Sequence, residues 1–91
     1  MKYLLFSATW CSPCKQLTPI MEKVKQQNIP VRKVDIEEED SLASEYGIRS
    51  VPTVILLDPA GFELSRTVGV KPESFYVDLY NKHKDNLAFK M

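Results

Sequence analysis

The chain has little with which to build a metal centre, a disulfide framework or a charged binding face. Of its 91 residues only two are cysteine and one is histidine. That falls short of a tetrahedral zinc site, which would need a second copy of the chain, as would a bridging iron-sulfur cluster. The one histidine, His83, reads as a solvated residue near the end of the last helix. No metal and no other cofactor is expected. Twelve basic and twelve acidic residues cancel, and no basic block stands out, so the electrostatic footprint of a nucleic-acid binder is missing. Long apolar runs are missing too. The opening Met1-Lys2-Tyr3-Leu4-Leu5-Phe6 is apolar over only four residues before Ser7, too short for a secretory signal or a membrane span. A cytoplasmic chain without membrane attachment is expected. There are no repeats, low-complexity tracts or linkers, and the length suits a single domain, 1–91, expected to be a monomer.

What is present is the composition of a globular chain, with 44% hydrophobic and 26% charged residues. Tyr3 to Ala8 is a nearly continuous apolar run, the pattern of a strand buried on both faces. Beyond Cys11-Ser12-Pro13-Cys14, the residues Leu17, Ile20, Met21 and Val24 recur at helical spacing and predict an amphipathic helix from Pro13 to Gln27. Pro19 is expected to kink it, and Asn28 and Pro30 to end it. Val31 to Ile36 alternates as an edge strand would. The acidic run Glu37 to Asp40 reads as a solvated turn that loads the next helix start with negative charge. Asp40 or Ser41 is expected to cap that helix and Gly47 to stop it. Val54 to Leu57 predicts a buried strand, Asp58-Pro59-Ala60-Gly61 a turn, and Phe62 to Val68 the antiparallel partner. A last helix is expected with Pro72 at its first position and an apolar stripe from Phe75 and Leu79 with Tyr76 or Tyr80. Residues 85–91 give no clear pattern. The order is βαβαββα, an α/β fold with a central four-stranded mixed sheet flanked by helices. It places the two cysteines where the first strand hands over to the first helix, at the carboxyl edge of the sheet.

Two cysteines so close together close too small a loop to constrain the unfolded chain much, so their bridge is a poor structural staple. In a reducing compartment such a pair is more often redox-active or metal-bound. A helix start carries about half a positive charge and several unpaired N–H groups, which favour thiolate over thiol at Cys11. Cys14, one turn in, is expected to be less exposed and less readily ionised. Cys11 is therefore read as the nucleophile and Cys14 as the resolving thiol. Ser12 and Pro13 between them tune the pair, one adding a donor and the other removing one.

Three blocks then stand in order: Trp10-Cys11-Ser12-Pro13-Cys14-Lys15, Tyr46-Gly47-Ile48-Arg49-Ser50-Val51-Pro52-Thr53, and Val68-Gly69. Together they resemble the thioredoxin family over residues 3 to 84. The resemblance implies a minimal thioredoxin fold and a protein-disulfide reductase. It also implies a cis proline at Pro52 facing the cysteines, and a substrate platform made by Trp10, Val51, Pro52 and Gly69. Disulfide-containing proteins are the implied substrates, with a thioredoxin reductase or glutathione as electron donor and the reducing direction expected.

Three departures qualify the match. Thioredoxins usually carry one more strand and helix before this point. They also place a buried aspartate six residues before the nucleophile, as proton acceptor for the resolving cysteine, where this chain has Leu5. Lys33 matches the lysine that pairs with that acid. Left without its partner, it is expected to lower the thiolate pKa, with water or a displaced carboxylate taking the Cys14 proton. Ser7 stands where many members have a second tryptophan. A glutaredoxin-like, glutathione-dependent enzyme would suit the short fold, although Val68-Gly69-Val70-Lys71 stands where that family has Gly-Gly and an acidic pair. A non-catalytic subunit used for its surface is the other alternative.

Overall fold

The strand β1 (Lys2–Ser7) is the pivot of the molecule, pairing in parallel with β2 (Val31–Asp35) and antiparallel with β3 (Thr53–Leu57). β4 (Glu63–Val68) adds to β3 in antiparallel fashion, so the sheet order is β2-β1-β3-β4 and β2 is an edge, as its alternation predicts. The computed structural model describes the backbone of residues 1–90 and the side chains of residues 1–87. Helices α1 (Ser12–Lys25), α2 (Asp40–Glu45) and α3 (Glu73–Lys90) complete the βαβαββα order. Among the described residues no helix is long and apolar enough to cross a membrane.

Strand alternation sorts the core onto the two faces of the sheet. Tyr3, Leu5, Val54 and Leu56 turn to one face, where they meet Leu17, Met21 and Val24 of α1 and Tyr76 of α3. Leu4, Phe6, Val34, Ile55 and Leu57 turn to the other, over Ala43 of α2. Each fully buried aliphatic side chain contributes about 1.5–3 kcal/mol, which is why β1 and β3, buried along almost their whole length, anchor the fold. On the first face Tyr3 also donates a hydrogen bond of 2.6 Å to the Tyr76 carbonyl, while the Tyr76 hydroxyl accepts the Lys71 amide.

Several local expectations need correction. α2 begins after Glu39, and neither Asp40 nor Ser41 caps it. The Asp35 carboxylate takes that part of the chain instead, its Oδ1 accepting the amides of Glu37 and Glu38 at 2.8 and 3.3 Å. Pro72 lies just before α3 and not at its first position, its carbonyl accepting the Phe75 amide. Phe75 is half-exposed; Tyr76 fills the core in its place because its ring meets Tyr3 edge-on and its hydroxyl has a partner. The stretch from 85 continues α3 to Lys90, and Met91 lies outside the described residues. Asn28 ends the first crossover with φ of 62°, and Gly47 follows α2 with φ of 63°, as a helix stop requires.

Candidate active site

The sheet topology draws four distant segments to one edge. β1 and β2 run in parallel, so Ser7 and Asp35 end side by side, and the Ile36 amide is bonded to the Ser7 carbonyl at 3.0 Å. β3 runs the other way, so its first residue, Thr53, pairs with Phe6 at the same edge, and Val68 of β4 pairs with Thr53. The segments 8–14, 51–52 and 69 therefore meet although nothing in their local sequence joins them.

Cys11 is the N-cap of α1, with an extended backbone, and its sulfur accepts the Cys14 amide at 3.2 Å. The two sulfurs are joined as a disulfide. Pro13 occupies the first turn, where its missing N–H costs the helix no bond. The hydroxyl of Thr18 donates to the Cys14 carbonyl at 3.0 Å, and Pro19 lies inside the helix next to it. Of the two cysteines, Cys11 is 4% and Cys14 2% exposed, so the expected contrast between an open and a covered thiol is small. The reason is packing: Ala8, Ile36 and Val51 close over the pair.

Opposite Cys11, the Val51–Pro52 peptide bond is cis, and the Val51 carbonyl oxygen lies 3.6 Å from Cys11 Sγ. Pro52 is buried, its carbonyl accepts the Gly69 amide at 3.0 Å, and Gly69 holds φ of 91°. Trp10 is 65% exposed beside the pair. It borders a hollow of about 300 Å³ that is otherwise lined by Ile36, Ile48, Arg49, Ser50 and Val51. Trp10, Val51, Pro52 and Gly69 are thus gathered around the dithiol edge. Ile36 and Ile48 join the site as well, the first an apolar residue just past a strand and the second one just past Gly47.

Lys33 is exposed and lies behind Cys14, not against Cys11, lining a second cavity of about 250 Å³. Leu5 pairs with it across the strands and is fully buried in apolar surroundings, so no carboxylate occupies that position. Among the described residues no cluster of histidine, cysteine, aspartate and glutamate could hold a metal ion.

The thioredoxin family model matches residues 3–84. A thioredoxin of Chlamydia pneumoniae is 40% identical over 80 residues, spanning 86% of this chain and 78% of that one. One of Bacillus subtilis is 36% identical over 81 residues, spanning 86% and 77%. Among solved structures, a point mutant of a thioredoxin from Halobacterium salinarum superposes with a TM-score of 0.79 at 37% identity, covering 85% of this chain and 68% of that one. Thioredoxin 1 of Thermosipho africanus superposes with a TM-score of 0.83 at 27% identity, covering 97% and 99%. The glutathione-dependent and non-catalytic alternatives are not favoured by these relatives. With its disulfide-forming cysteines at a helix start and this relationship along most of its length, the chain belongs to the thioredoxin family and is a thiol-disulfide oxidoreductase working through Cys11 and Cys14.

Proposed function

We propose that Cys11 is the attacking thiol and Cys14 the resolving one, in the reduction of protein disulfides. The observation that carries this order is the Cys14 amide directed at Cys11 Sγ from the first turn of α1. Together with the helix dipole it stabilises negative charge on that sulfur, whereas Cys14 lies a turn inside, with its carbonyl already bonded to Thr18. Cys11 thiolate attacks a substrate disulfide, releasing one substrate thiol and forming a mixed disulfide. Cys14 then attacks the Cys11 sulfur, freeing the second thiol and closing the bond present in the structure.

Trp10 and Val51, with the backbone from Val51 to Pro52 and at Gly69, form the platform on which an extended substrate segment lies, its main chain pairing with Val51. Ser12 and Pro13 set the reduction potential from the first turn, and about 30 mV corresponds to about 1.4 kcal/mol for the two-electron couple. The disulfide is returned to the dithiol by a thioredoxin reductase, and the protein acts as a cytoplasmic monomer.

Reduction of insulin disulfides tests the reading. Wild type is active with NADPH and a thioredoxin reductase and slower with glutathione and glutathione reductase. Cys11→Ser is inactive, and Cys14→Ser accumulates a mixed disulfide through Cys11. Activity surviving in Cys11→Ser would overturn the assignment.

A further inference from the structure

The resolving step needs Cys14 to lose its proton before it can attack, because the thiolate is the nucleophile. In an apolar pocket that proton has nowhere to go. Cys14 does not face such a pocket: it lines the cavity of about 250 Å³ whose polar and charged lining is Ser7, Thr9, Lys15, Thr18, Lys33 and Asp35. A water takes about 30 Å³ of liquid volume, so the cavity has room for several, with hydroxyl and carboxylate partners on its wall. Its charged groups come from two elements, Lys15 from α1 and Lys33 and Asp35 from β2. Asp35 is the one anion among them.

Asp35 is also held firmly. It pairs with Ser7 across the parallel strands, the Ile36 amide pins the strand end to the Ser7 carbonyl, and Oδ1 is fixed by the amides of Glu37 and Glu38. Among the described residues Oδ2 takes no hydrogen bond, so it is available to the cavity. Lys33, two residues earlier, shares the same strand face, because side chains alternate along a strand.

We infer that Asp35 is the proton acceptor for Cys14, acting through water in this cavity, whose wall the two residues share. The inference rests on Cys14 being the resolving thiol. The Cys14 S–H proton passes through water to the Asp35 carboxylate, and the thiolate attacks the Cys11 sulfur. The Cys11–substrate S–S bond breaks as the Cys11–Cys14 bond forms, and the departing substrate thiolate takes the proton back. Electrons and protons balance, and Asp35 ends as it began.

Stopped-flow reaction of the reduced protein with 5,5′-dithiobis(2-nitrobenzoate) separates the two steps. The first nitrothiobenzoate release reports attack by Cys11 and depends on reagent concentration; the second reports closure by Cys14 and does not. In wild type both releases occur, and their absence would sink the dithiol reading itself. Asp35→Asn keeps an oxygen for the Glu37 and Glu38 amides but cannot accept a proton. It leaves the first release unchanged and slows the second tenfold or more at pH 7, general-base catalysis being worth about 10²–10⁴-fold. The gap narrows as pH rises, because hydroxide increasingly takes the proton in place of the carboxylate. Asp35→Ser, which also keeps an oxygen for the turn, behaves the same way and serves if the asparagine variant folds poorly. Asp35→Glu restores part of the rate. A second release within twofold of wild type across the pH range, or both releases slowed alike, overturns the proposal.

Discussion

The amide of Cys14 lies 3.2 Å from the sulfur of Cys11, so the first turn of α1 closes onto the atom that the reaction would charge. Such a bond strengthens as its acceptor gains charge, and favours the ionised sulfur. In the reduced protein, alkylation by iodoacetamide is expected to show a fast phase with a midpoint below the free-thiol value of about 8.5. Cys11→Ser abolishes that phase. Lys33→Met raises the midpoint slightly, and the difference fades in about 1 M salt, because Lys33 is exposed and its field is screened. A midpoint at or above about 8.5 in wild type refutes the stabilisation.

Leu17 is wholly buried between α1 and the sheet, against Tyr3, Leu5 and Val54 among others. Leu17→Ala opens a cavity on the face that carries α1 and is expected to cost about 2–5 kcal/mol, read from urea unfolding of the oxidised protein. A loss below about 1 kcal/mol would mean that the helix repacks freely.

Burial, and then the neighbouring hydroxyls of Tyr76 and Tyr80, push the Tyr3 hydroxyl well above the ordinary tyrosine range. Burial likewise raises Tyr76. Both groups hold their protons more tightly folded than unfolded. Their contribution is therefore complete below the unfolded value of about 10 and is lost as pH rises through the higher folded values. Thermal midpoints are expected to fall steeply above about pH 10. Tyr3→Phe lowers stability at neutral pH by about 0.5–1.5 kcal/mol through the lost bond to the Tyr76 carbonyl, and makes the alkaline decline shallower. An unchanged alkaline slope in Tyr3→Phe would assign the decline to other groups.

Gly69 combines a φ of 91° with a hydrogen bond to Pro52, and a Cβ built there meets nothing within 4 Å. The cost of Gly69→Ala is therefore conformational and not steric, about 1–2 kcal/mol. Urea unfolding measures it, and the insulin assay is expected to show a raised KM, since the glycine backbone belongs to the proposed platform. A stability loss of about 4 kcal/mol or more would point to a clash instead.

Much of this was legible because local pattern and tertiary environment agree. The run Tyr3 to Ala8 has no polar face, so it reads as a central strand, and β1 is one. Leu17, Met21 and Val24 recur at helical spacing and are the residues that α1 buries. Pattern failed where a neighbour decides. Phe75 and Tyr76 are equally apolar to a periodicity argument, and only the hydroxyl partners and the edge-on Tyr3 ring select Tyr76. The place of Asp35 behind Cys14 depends on the parallel register of Ser7 with Asp35, a contact between strands that no local signal encodes. Alternation from Lys33 was the clue within reach, since a residue two positions on must share its face.

The strand β1 is clasped on both sides at the end where it enters the cysteine turn, by Asp35 on one flank and Thr53 on the other. The Cys11 amide, bonded to the Ala8 carbonyl at 3.3 Å, ties the sulfur pair to that strand end. An incoming partner must therefore bring its own disulfide within reach by bending its own chain, so flexible loops and termini are better suited to reduction than disulfides locked inside a rigid fold.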